Sequence, residues 1–204
     1  MEALETERLL LRPWRTDDEA EAESLFRYAS DPKIGPSCGW PPHASICGSM
    51  ETIRDILAVP DNWAITLKAG GTWDIGGDDP VGSIALRPVG RYVTDLLASN
   101  AALERCYGMY ADDSAVEVGY WIGHPFWGKG YMSEALSAVL AYAFGTLEKS
   151  AVWGGRYREN ARSGRVMERC GLHIVGESEH DYFPLIDEYH DHVHHIITAD
   201  EQQR

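Results

Sequence analysis

The sequence predicts an α/β (α+β) fold in a single domain that spans residues 1–204. Its 204 residues, 44% of them hydrophobic, suit one domain, because domains usually hold about 100–200 residues. Short segments with the alternating pattern of strands are interleaved with segments of helical periodicity. Counting these segments gives about seven strands and about four helices.

The first half of the chain contains two helices and three strands. Glu7 to Pro13 is the first predicted strand, and Thr16 to Glu19 has the pattern of a capping box that opens a helix. Ser49 is the predicted cap of a short second helix. Two alternating segments, Asn62 to Lys68 and Val81 to Leu86, predict an antiparallel hairpin, joined by the turn-rich segment Gly70 to Pro80.

The second half begins with a segment of no clear periodicity, Gly90 to Asp113. It is either an insertion with a short helix at Leu96 to Leu103 or a flexible flap. The segment after it is the most regular part of the chain, with a strand, a glycine-containing loop and a long amphipathic helix. The predicted elements are strands at Ala115 to Ile122, Ala151 to Tyr157, Leu172 to Glu177 and Tyr189 to Thr198, and helices at Tyr131 to Leu147 and Ala161 to Cys170.

The charge of the chain indicates which partners it can attract. Its formal net charge is −14, which argues against nucleic acid, because binding phosphates requires a basic face. An acidic surface instead concentrates cationic molecules, although salt limits its reach to about 8 Å at physiological strength. Solubility alone is an equally simple explanation of the acidity.

Four cysteines and the absence of a long apolar segment indicate the compartment. Cys38, Cys47, Cys106 and Cys170 are scattered, without the spacing of a zinc site or the density of a disulfide framework. The sequence contains neither a signal-like amino terminus nor an apolar run of about 18 residues. We therefore expect a cytoplasmic protein with reduced thiols and no membrane contact.

The segment Trp127 to Ser133 (WGKGYMS) is the part of the sequence that is most informative about function. It lies between a predicted strand and a predicted helix, so its two glycines and the helix start can direct backbone N–H groups at an anion. A P-loop would require Ser or Thr after Lys129, where Gly130 stands, and a dinucleotide fingerprint would require a third glycine at Ser133. A plain connecting loop remains the structural alternative.

This segment resembles the signature Gln/Arg-x-x-Gly-x-Gly/Ala of the GNAT superfamily of acyl-CoA-dependent N-acyltransferases, with Trp127 in the first place and Met132 in the last. Two further ordered motifs resemble the same family: Glu117 to Gly123 (EVGYWIG), and Asn160 to Ser163 followed by Glu168 to Leu172. The Trp at 127 and the opening ERLLLR are similar to the branch of ribosomal-protein-alanine and -serine N-acetyltransferases. The resemblance covers most of the chain.

The resemblance implies a GNAT-like mixed, mostly antiparallel central sheet and acetyl-CoA as cosubstrate. It places pantetheine beside Tyr120, Trp121 and Ile122. The diphosphate would lie on the loop, and the nucleotide phosphates near Lys129 and either Arg162 or Arg165. The full set of implied CoA-binding residues is Tyr120, Trp121, Ile122, Trp127, Gly128, Lys129, Gly130, Tyr131, Met132, Ser133, Asn160 and Arg165.

Two residues are the predicted catalytic groups. An alkylamine with a pKa near ~10.4 is almost entirely protonated at pH 7, so the reaction needs a base. Glu117, on the strand before the loop, is the predicted base, directly or through water. Many relatives carry an acid Tyr where this chain has Met167, so the role of proton donor to the leaving thiolate passes to Ser163.

The run His190 to His195 suggests a metal, since alternate residues of a strand share a face. Imidazoles two residues apart on a strand lie ~6–7 Å from each other, which is long for one zinc ion. A thioester also needs no metal for activation. We therefore expect no metal.

The predicted function is transfer of an acetyl group to a primary amine, on a small molecule or at a protein N-terminus. Trp40, His43 and the 90–113 segment are expected to line the acceptor side. A sensor domain that binds acyl-CoA without transfer, and an enzyme for a larger donor such as succinyl-CoA, are the alternatives. A homodimer, in which a second copy of this chain is the partner, is a further hypothesis.

Overall fold

A computed structural model describes residues 2–68 and 77–202. These residues form eight strands and seven α-helices, together with short 3₁₀ segments and one π-helical turn. The chain divides into two compact units: Met1–Ala85 with Tyr120–Ala138, and Leu86–Gly119 with Val139–Arg204. No helix in the described ranges is both long and apolar enough to cross a membrane.

The first unit is built on antiparallel strands. The order is β1 (Leu4–Glu5), β2 (Leu9–Pro13), β3 (Asn62–Leu67) and β4 (Gly82–Arg87), and each strand pairs antiparallel with the next. Two helices belong to this unit, α1 (Glu19–Ala29) and α2 (Ile46–Thr52), and a π-helical turn at Ile53–Leu57 extends α2. Their apolar faces bury a cluster around strand β3, whose members are Trp14, Ala22, Leu25, Ala29, Ile53, Leu57 and Ala64.

A buried ion pair connects β2 to α1 inside this unit. Both nitrogens of the Arg12 fork donate to the Glu21 carboxylate, at 2.8 and 2.6 Å, while Arg12 Nε donates to Asp78 at 2.8 Å. Arg12 and Glu21 are 6% and 3% exposed, so solvent screens this pair very little. Bidentate geometry of this kind fixes the orientation of the helix against the strand.

The second unit contains a parallel pair of strands. Strand β5 (Ala115–Ile122) runs parallel to β6 (Ala151–Tyr157), with register from Ala115↔Ala151 to Val118↔Gly154. The pairing ends there, although both strands continue for three or more residues. Strand β8 (Glu188–Thr198) pairs antiparallel with β6 and with β7 (His173–Phe183).

Helices surround these strands. The segment without clear periodicity forms α3 (Arg91–Ser99) and α4 (Ala101–Tyr107), which meet at Asn100, whose side chain caps α4. Helix α5 (Tyr131–Gly145) follows the glycine loop, α6 (Ala161–Arg169) follows β6, and α7 (Ala199–Gln202) ends the described chain. Val93, Leu97, Ala115, Ala151, Trp153 and Ile196 form the buried cluster of the second unit.

The predicted fold class is confirmed, with eight strands instead of about seven and seven α-helices instead of about four. Strands 115–122 and 151–157 have the predicted bounds, and the hairpin of β3 and β4 is present. Residues 70–76 of its predicted turn lie outside the described residues. The helix predicted at Leu96 to Leu103 is instead two helices, because Asn100 offers its side chain as a cap in the middle of that segment.

Two predicted helix caps are wrong. Helix α1 is capped by Asp18, whose carboxylate accepts from the N–H groups of Ala20 and Glu21, and not by Thr16. A carboxylate also interacts favourably with the positive end of the helix dipole. Helix α2 begins one turn before Ser49, because Ser45 accepts from the Gly48 N–H at 3.0 Å.

Candidate acyl-CoA site

The loop between β5 and α5 lies in the first unit and has two left-handed glycines. Gly128 and Gly130 have φ of +75° and +81°, a region that residues with a Cβ enter at a cost of about 1–2 kcal/mol. Alternation of left-handed and right-handed residues turns successive N–H groups toward one side and forms an anion-binding concavity. The positive φ values of both glycines are compatible with the predicted anion cradle.

Helix α5 begins directly after Gly130. The first N–H groups of an α-helix have no partner within the helix and carry partial positive charge. Tyr131 and Met132 stand in this first turn, and the helix ladder starts with Glu134 N–H donating to Gly130 O at 3.1 Å. A glycine loop that runs directly into a helix start is the kind of arrangement that binds phosphate groups.

Aromatic residues hold the loop in place. Trp127 Nε1 donates to the Ile122 carbonyl at 2.9 Å, so the end of β5 and the start of the loop are tied together. Phe126 is 2% exposed and makes an edge contact with Tyr28, at 5.4 Å between ring centroids. The loop backbone is fixed before any ligand arrives, which lowers the entropy cost of binding.

Arg8, which no sequence motif marked as a site residue, contacts the loop from the position just before β2. Its Nη1 donates to the Lys129 carbonyl at 3.1 Å, and its guanidinium lies 4.6 Å from the centre of the Tyr131 ring. Its Nε donates to the Glu134 carboxylate at 2.6 Å. This contact joins residues 126 apart in sequence, so no local pattern reveals it.

The same contacts of Arg8 compensate the negative charge of Glu134 at the start of α5. Glu134 lies in the first turn of α5, where an unpaired carboxylate would repel a phosphate group. Burial raises its pKa, but hydrogen bonds from Thr6 and Arg8 and the charge of Arg8 outweigh that effect and hold the pKa below its ordinary value. Glu134 is therefore ionised and its charge is compensated by Arg8.

The side chains at the end of β5 pack against other parts of the first unit, and the β5 backbone lies close to β4. Ile122 is buried, and the Trp121 ring packs against Trp40 at 6.0 Å between centroids. A Cβ on Gly82 of β4 would lie 2.5 Å from the Trp121 carbonyl oxygen, so only glycine permits this approach. The predicted acceptor-side residue Trp40 thus contacts Trp121, and His43 lies 5.4 Å from the Trp40 ring.

In the second unit, Glu117 is half-buried on β5. Its Oε2 accepts from the Gly90 N–H at 3.1 Å. Burial raises the pKa of Glu117, and although the Gly90 hydrogen bond and the Arg87 charge act in the opposite direction, the pKa stays above its ordinary value. A carboxyl group shifted in this direction is better matched to proton transfer near neutral pH. Arg87 is a second neighbour that the sequence analysis missed.

Helix α6 positions the other predicted residues of this unit. The Asn160 side chain is its N-cap and accepts from the Ser163 N–H at 3.3 Å, which places the partly buried Ser163 in the first turn. Arg165 is exposed. Met167 is 1% exposed, and its sulfur would lie 3.1 Å from a Cβ on Gly154. Met167 is therefore a core residue with no proton to donate.

Comparison with known proteins identifies the family. Residues 8–173 match the model of the acetyltransferase (GNAT) domain. Uncharacterized N-acetyltransferase p20 from Bacillus licheniformis is 23% identical over 178 residues, which cover 86% of this chain and 85% of that protein. The [Ribosomal protein uS5]-alanine N-acetyltransferase of Escherichia coli K12 is 33% identical over 85 residues, which cover 42% of this chain and 43% of that protein.

Solved structures show the same fold. A GNAT-family acetyltransferase from Bacillus anthracis superposes with a TM-score of 0.74 and 21% identity, covering 98% of this chain and all of that one. The ribosomal-protein-S5-alanine acetyltransferase of Vibrio fischeri gives a TM-score of 0.63 and 15% identity, with both chains fully covered. With the family model matching most of its length, the chain belongs to the GNAT family of acetyltransferases.

Proposed function

We propose that this acetyltransferase transfers the acetyl group of acetyl-CoA to a primary amine. The loop from Trp127 to Ser133, with two left-handed glycines followed at once by α5, is the observation that supports the proposal. GNAT acetyltransferases use acetyl-CoA as their cosubstrate, and this loop has the donors that a diphosphate requires.

The loop binds the diphosphate of CoA through its amides. Each hydrogen bond to a charged group contributes about 1.5–3 kcal/mol, so a few of them hold an anion despite a net charge of −14. Tyr120 to Ile122 supply main-chain contacts to pantetheine. Lys129 and Arg165 are the cations proposed for the nucleotide phosphates.

Glu117 takes the proton of the attacking amine, directly or through one water. The amine nitrogen forms the new C–N bond and the C–S bond of the thioester breaks. Ser163 Oγ gives a proton to the departing sulfur and regains one from solvent. Because the thioester is already activated, positioning and these two proton transfers are the main tasks of the protein.

The acceptor is a cationic amine in solution, either a small molecule or the N-terminus of a protein. The net charge favours its approach. The protein acceptor is supported by the Escherichia coli relative, whose name gives a ribosomal-protein alanine as its substrate and which matches 42% of this chain. Trp40, His43 and the helices of residues 91–107 are proposed to line the acceptor side.

Two measurements test this function. Calorimetry with acetyl-CoA measures donor binding, and release of free CoA thiol is followed with a panel of polyamines, amino sugars, amino acids and short peptides. We expect saturable binding and amine-dependent release of thiol. Binding without release for any acceptor would support a sensor, and tighter competition by succinyl-CoA would support a larger donor. Absence of binding would refute the proposal.

A further inference from the structure

We infer that Asp181, His192 and His194 in the hairpin of β7 and β8 bind one divalent transition-metal ion of the zinc class. Each residue offers one ligand atom, and these three atoms all lie within 4.8 Å of one another. Two imidazoles and a carboxylate are a common ligand set for zinc. The site belongs to the second unit, and none of its three residues is among those assigned to acetyl transfer.

A register shift on β7 brings Asp181 to the histidines. Ser178 pairs with His192 and Asp181 pairs with His190, so β7 uses three steps where β8 uses two. The extra residue is a β-bulge, at which His180 has φ of +60°. In regular pairing Asp181 would stand on the opposite face. The bulge therefore places its carboxylate on the face that carries His192.

The distances allow one ion. His192 Nδ1 and Asp181 Oδ2 are 3.6 Å apart, and the ring centroids of His192 and His194 are 4.6 Å apart. Bonds of about 2.1 Å in a tetrahedron place ligand atoms about 3.4 Å from each other. The three candidate ligand atoms, all within 4.8 Å of one another, are therefore slightly farther apart than in a bound site and would have to approach each other to bind one ion.

A second observation also favours a ligand here. Within the described part of the chain, His192 Nδ1 is buried and has no hydrogen-bond partner, and His192 is only 6% exposed. Its separation of 3.6 Å from Asp181 is too long for a hydrogen bond. A buried polar nitrogen without a partner costs free energy, and a metal ion between His192 and Asp181 would remove this cost.

Ser178 orients the cluster. Its Oγ donates to Asp181 Oδ2 at 2.5 Å and lies 2.9 Å from His194 Nε2. Hydrogen bonds of this kind hold a coordinating carboxylate in place. The Asp181 side chain is 19% exposed, so of His192 and Asp181 it is the more accessible to solvent.

The expectation of no metal rested on regular strand spacing between alternate histidines. That spacing does not apply to His192 and His194, whose rings tilt toward each other. The expectation of no metal also left Asp181 out of account, because no motif in the sequence marks that residue. His190 is not part of the cluster, because its two ring nitrogens contact Glu159 at 2.8 Å and Glu188 at 2.9 Å.

The test uses untagged full-length protein, stripped with a chelator and titrated with Zn²⁺ by calorimetry, with elemental analysis after gel filtration. We expect one ion per chain. Asp181→Asn, which keeps the shape of the side chain, should weaken binding at least about 10-fold, and His194→Gln should abolish stoichiometric binding. His190→Gln, on the same strand, should bind as the wild type does.

Thermal melting of every metal-free variant establishes that it is folded. Zn²⁺ should raise the melting temperature of the wild type and of His190→Gln equally, that of Asp181→Asn less, and that of His194→Gln not at all. Cobalt provides an independent readout, since a tetrahedral site gives intense visible absorption. Wild-type protein without stoichiometric Zn²⁺, or equal affinity in all variants, would overturn the proposal and leave a hydrogen-bonded polar cluster. None of these measurements involves acetyl-CoA. A negative result for the metal site is therefore distinguishable from a negative result for the proposed function.

Discussion

Glu117 has a raised pKa because it is buried on β5, and Arg87 partly offsets the shift. If Glu117 is the base, Glu117→Gln should lower kcat by roughly 10²–10⁴-fold, as measured by thiol release at pH 7. The wild-type rate should fall as the pH drops through an ionisation above the ordinary carboxylate value. Asp113→Asn, an exposed acid just before the same strand, is the matched control.

Removal of the Arg87 charge tests the direction in which the pKa of Glu117 moves. Removing its charge in Arg87→Gln destabilises the ionised form of Glu117, so the pKa rises further and the acid limb of the pH–rate profile should move to higher pH. A profile unmoved in Arg87→Gln, or an unchanged profile in Glu117→Gln, would contradict the assignment of this limb to Glu117.

Ser163 stands in the first turn of α6, held by the Asn160 cap. If its hydroxyl protonates the leaving sulfur, Ser163→Ala should lower kcat by about 10–100-fold and change the Kd of acetyl-CoA by less than about 2-fold. Ser163→Thr keeps a hydroxyl and should restore part of the rate. Steady-state kinetics and calorimetry provide the two numbers, and equal turnover in Ser163→Ala would reject the role.

The glycine loop is the element proposed to bind acetyl-CoA. Gly130→Asp adds a negative charge where the diphosphate is proposed to lie, and should weaken acetyl-CoA binding at least about 10-fold by calorimetry. Gly130→Asn is the control, because asparagine has nearly the same shape as aspartate but no charge. Asn also tolerates a φ of +81° better than most residues. If the aspartate and asparagine variants bind equally well, the loop does not hold the diphosphate.

One buried ion pair, between Arg12 and Glu21, connects α1 to β2. Glu21→Ala leaves the Arg12 guanidinium buried with half of its charge compensation lost, and should cost about 3–5 kcal/mol in the free energy of unfolding. Glu19→Ala changes an exposed acid in the same first turn and should cost less than about 0.5 kcal/mol. Urea unfolding measures both, and similar losses in the two variants would contradict a special role for the pair.

Elements with strong local patterns were the predictable part of the fold. Strands β5 and β6 are nearly continuous apolar runs, so their bounds follow from the sequence. The caps of α1 and α2 were mispredicted because several Ser, Thr and Asp residues compete within one turn. The bulge of β7 could not be predicted, since it depends on pairing with β8 and on the left-handed His180.

At the scale of the whole molecule, the sequence located the loop and the family but not the residues that support the site. The contact of Arg8 with Glu134 and the Gly90 amide on Glu117 join residues far apart in the chain. Local spacing carries no information about such pairs. The motif therefore predicts which residues bind acetyl-CoA, and the three-dimensional structure adds how the charges around those residues are compensated.

Under the proposed function, the net charge of −14 acts on both substrates, and with opposite sign. CoA is a phosphate anion that the molecule repels at long range, whereas an ammonium acceptor is attracted. Raising the salt from about 10 mM to about 300 mM shortens the Debye length severalfold. Association of acetyl-CoA should therefore become faster in stopped-flow measurements, while kcat/KM for a cationic acceptor should fall by roughly 10-fold.

A pair of acceptors of equal length that differ by one positive charge separates this effect from general salt effects on the enzyme. The more cationic acceptor should lose more of its kcat/KM, because the attraction scales with charge. Equal losses for the two acceptors would mean that the acidic surface does not guide the substrate. The acidity would then be explained by solubility alone, and the preference for cationic amines would have to come from contacts within the acceptor site.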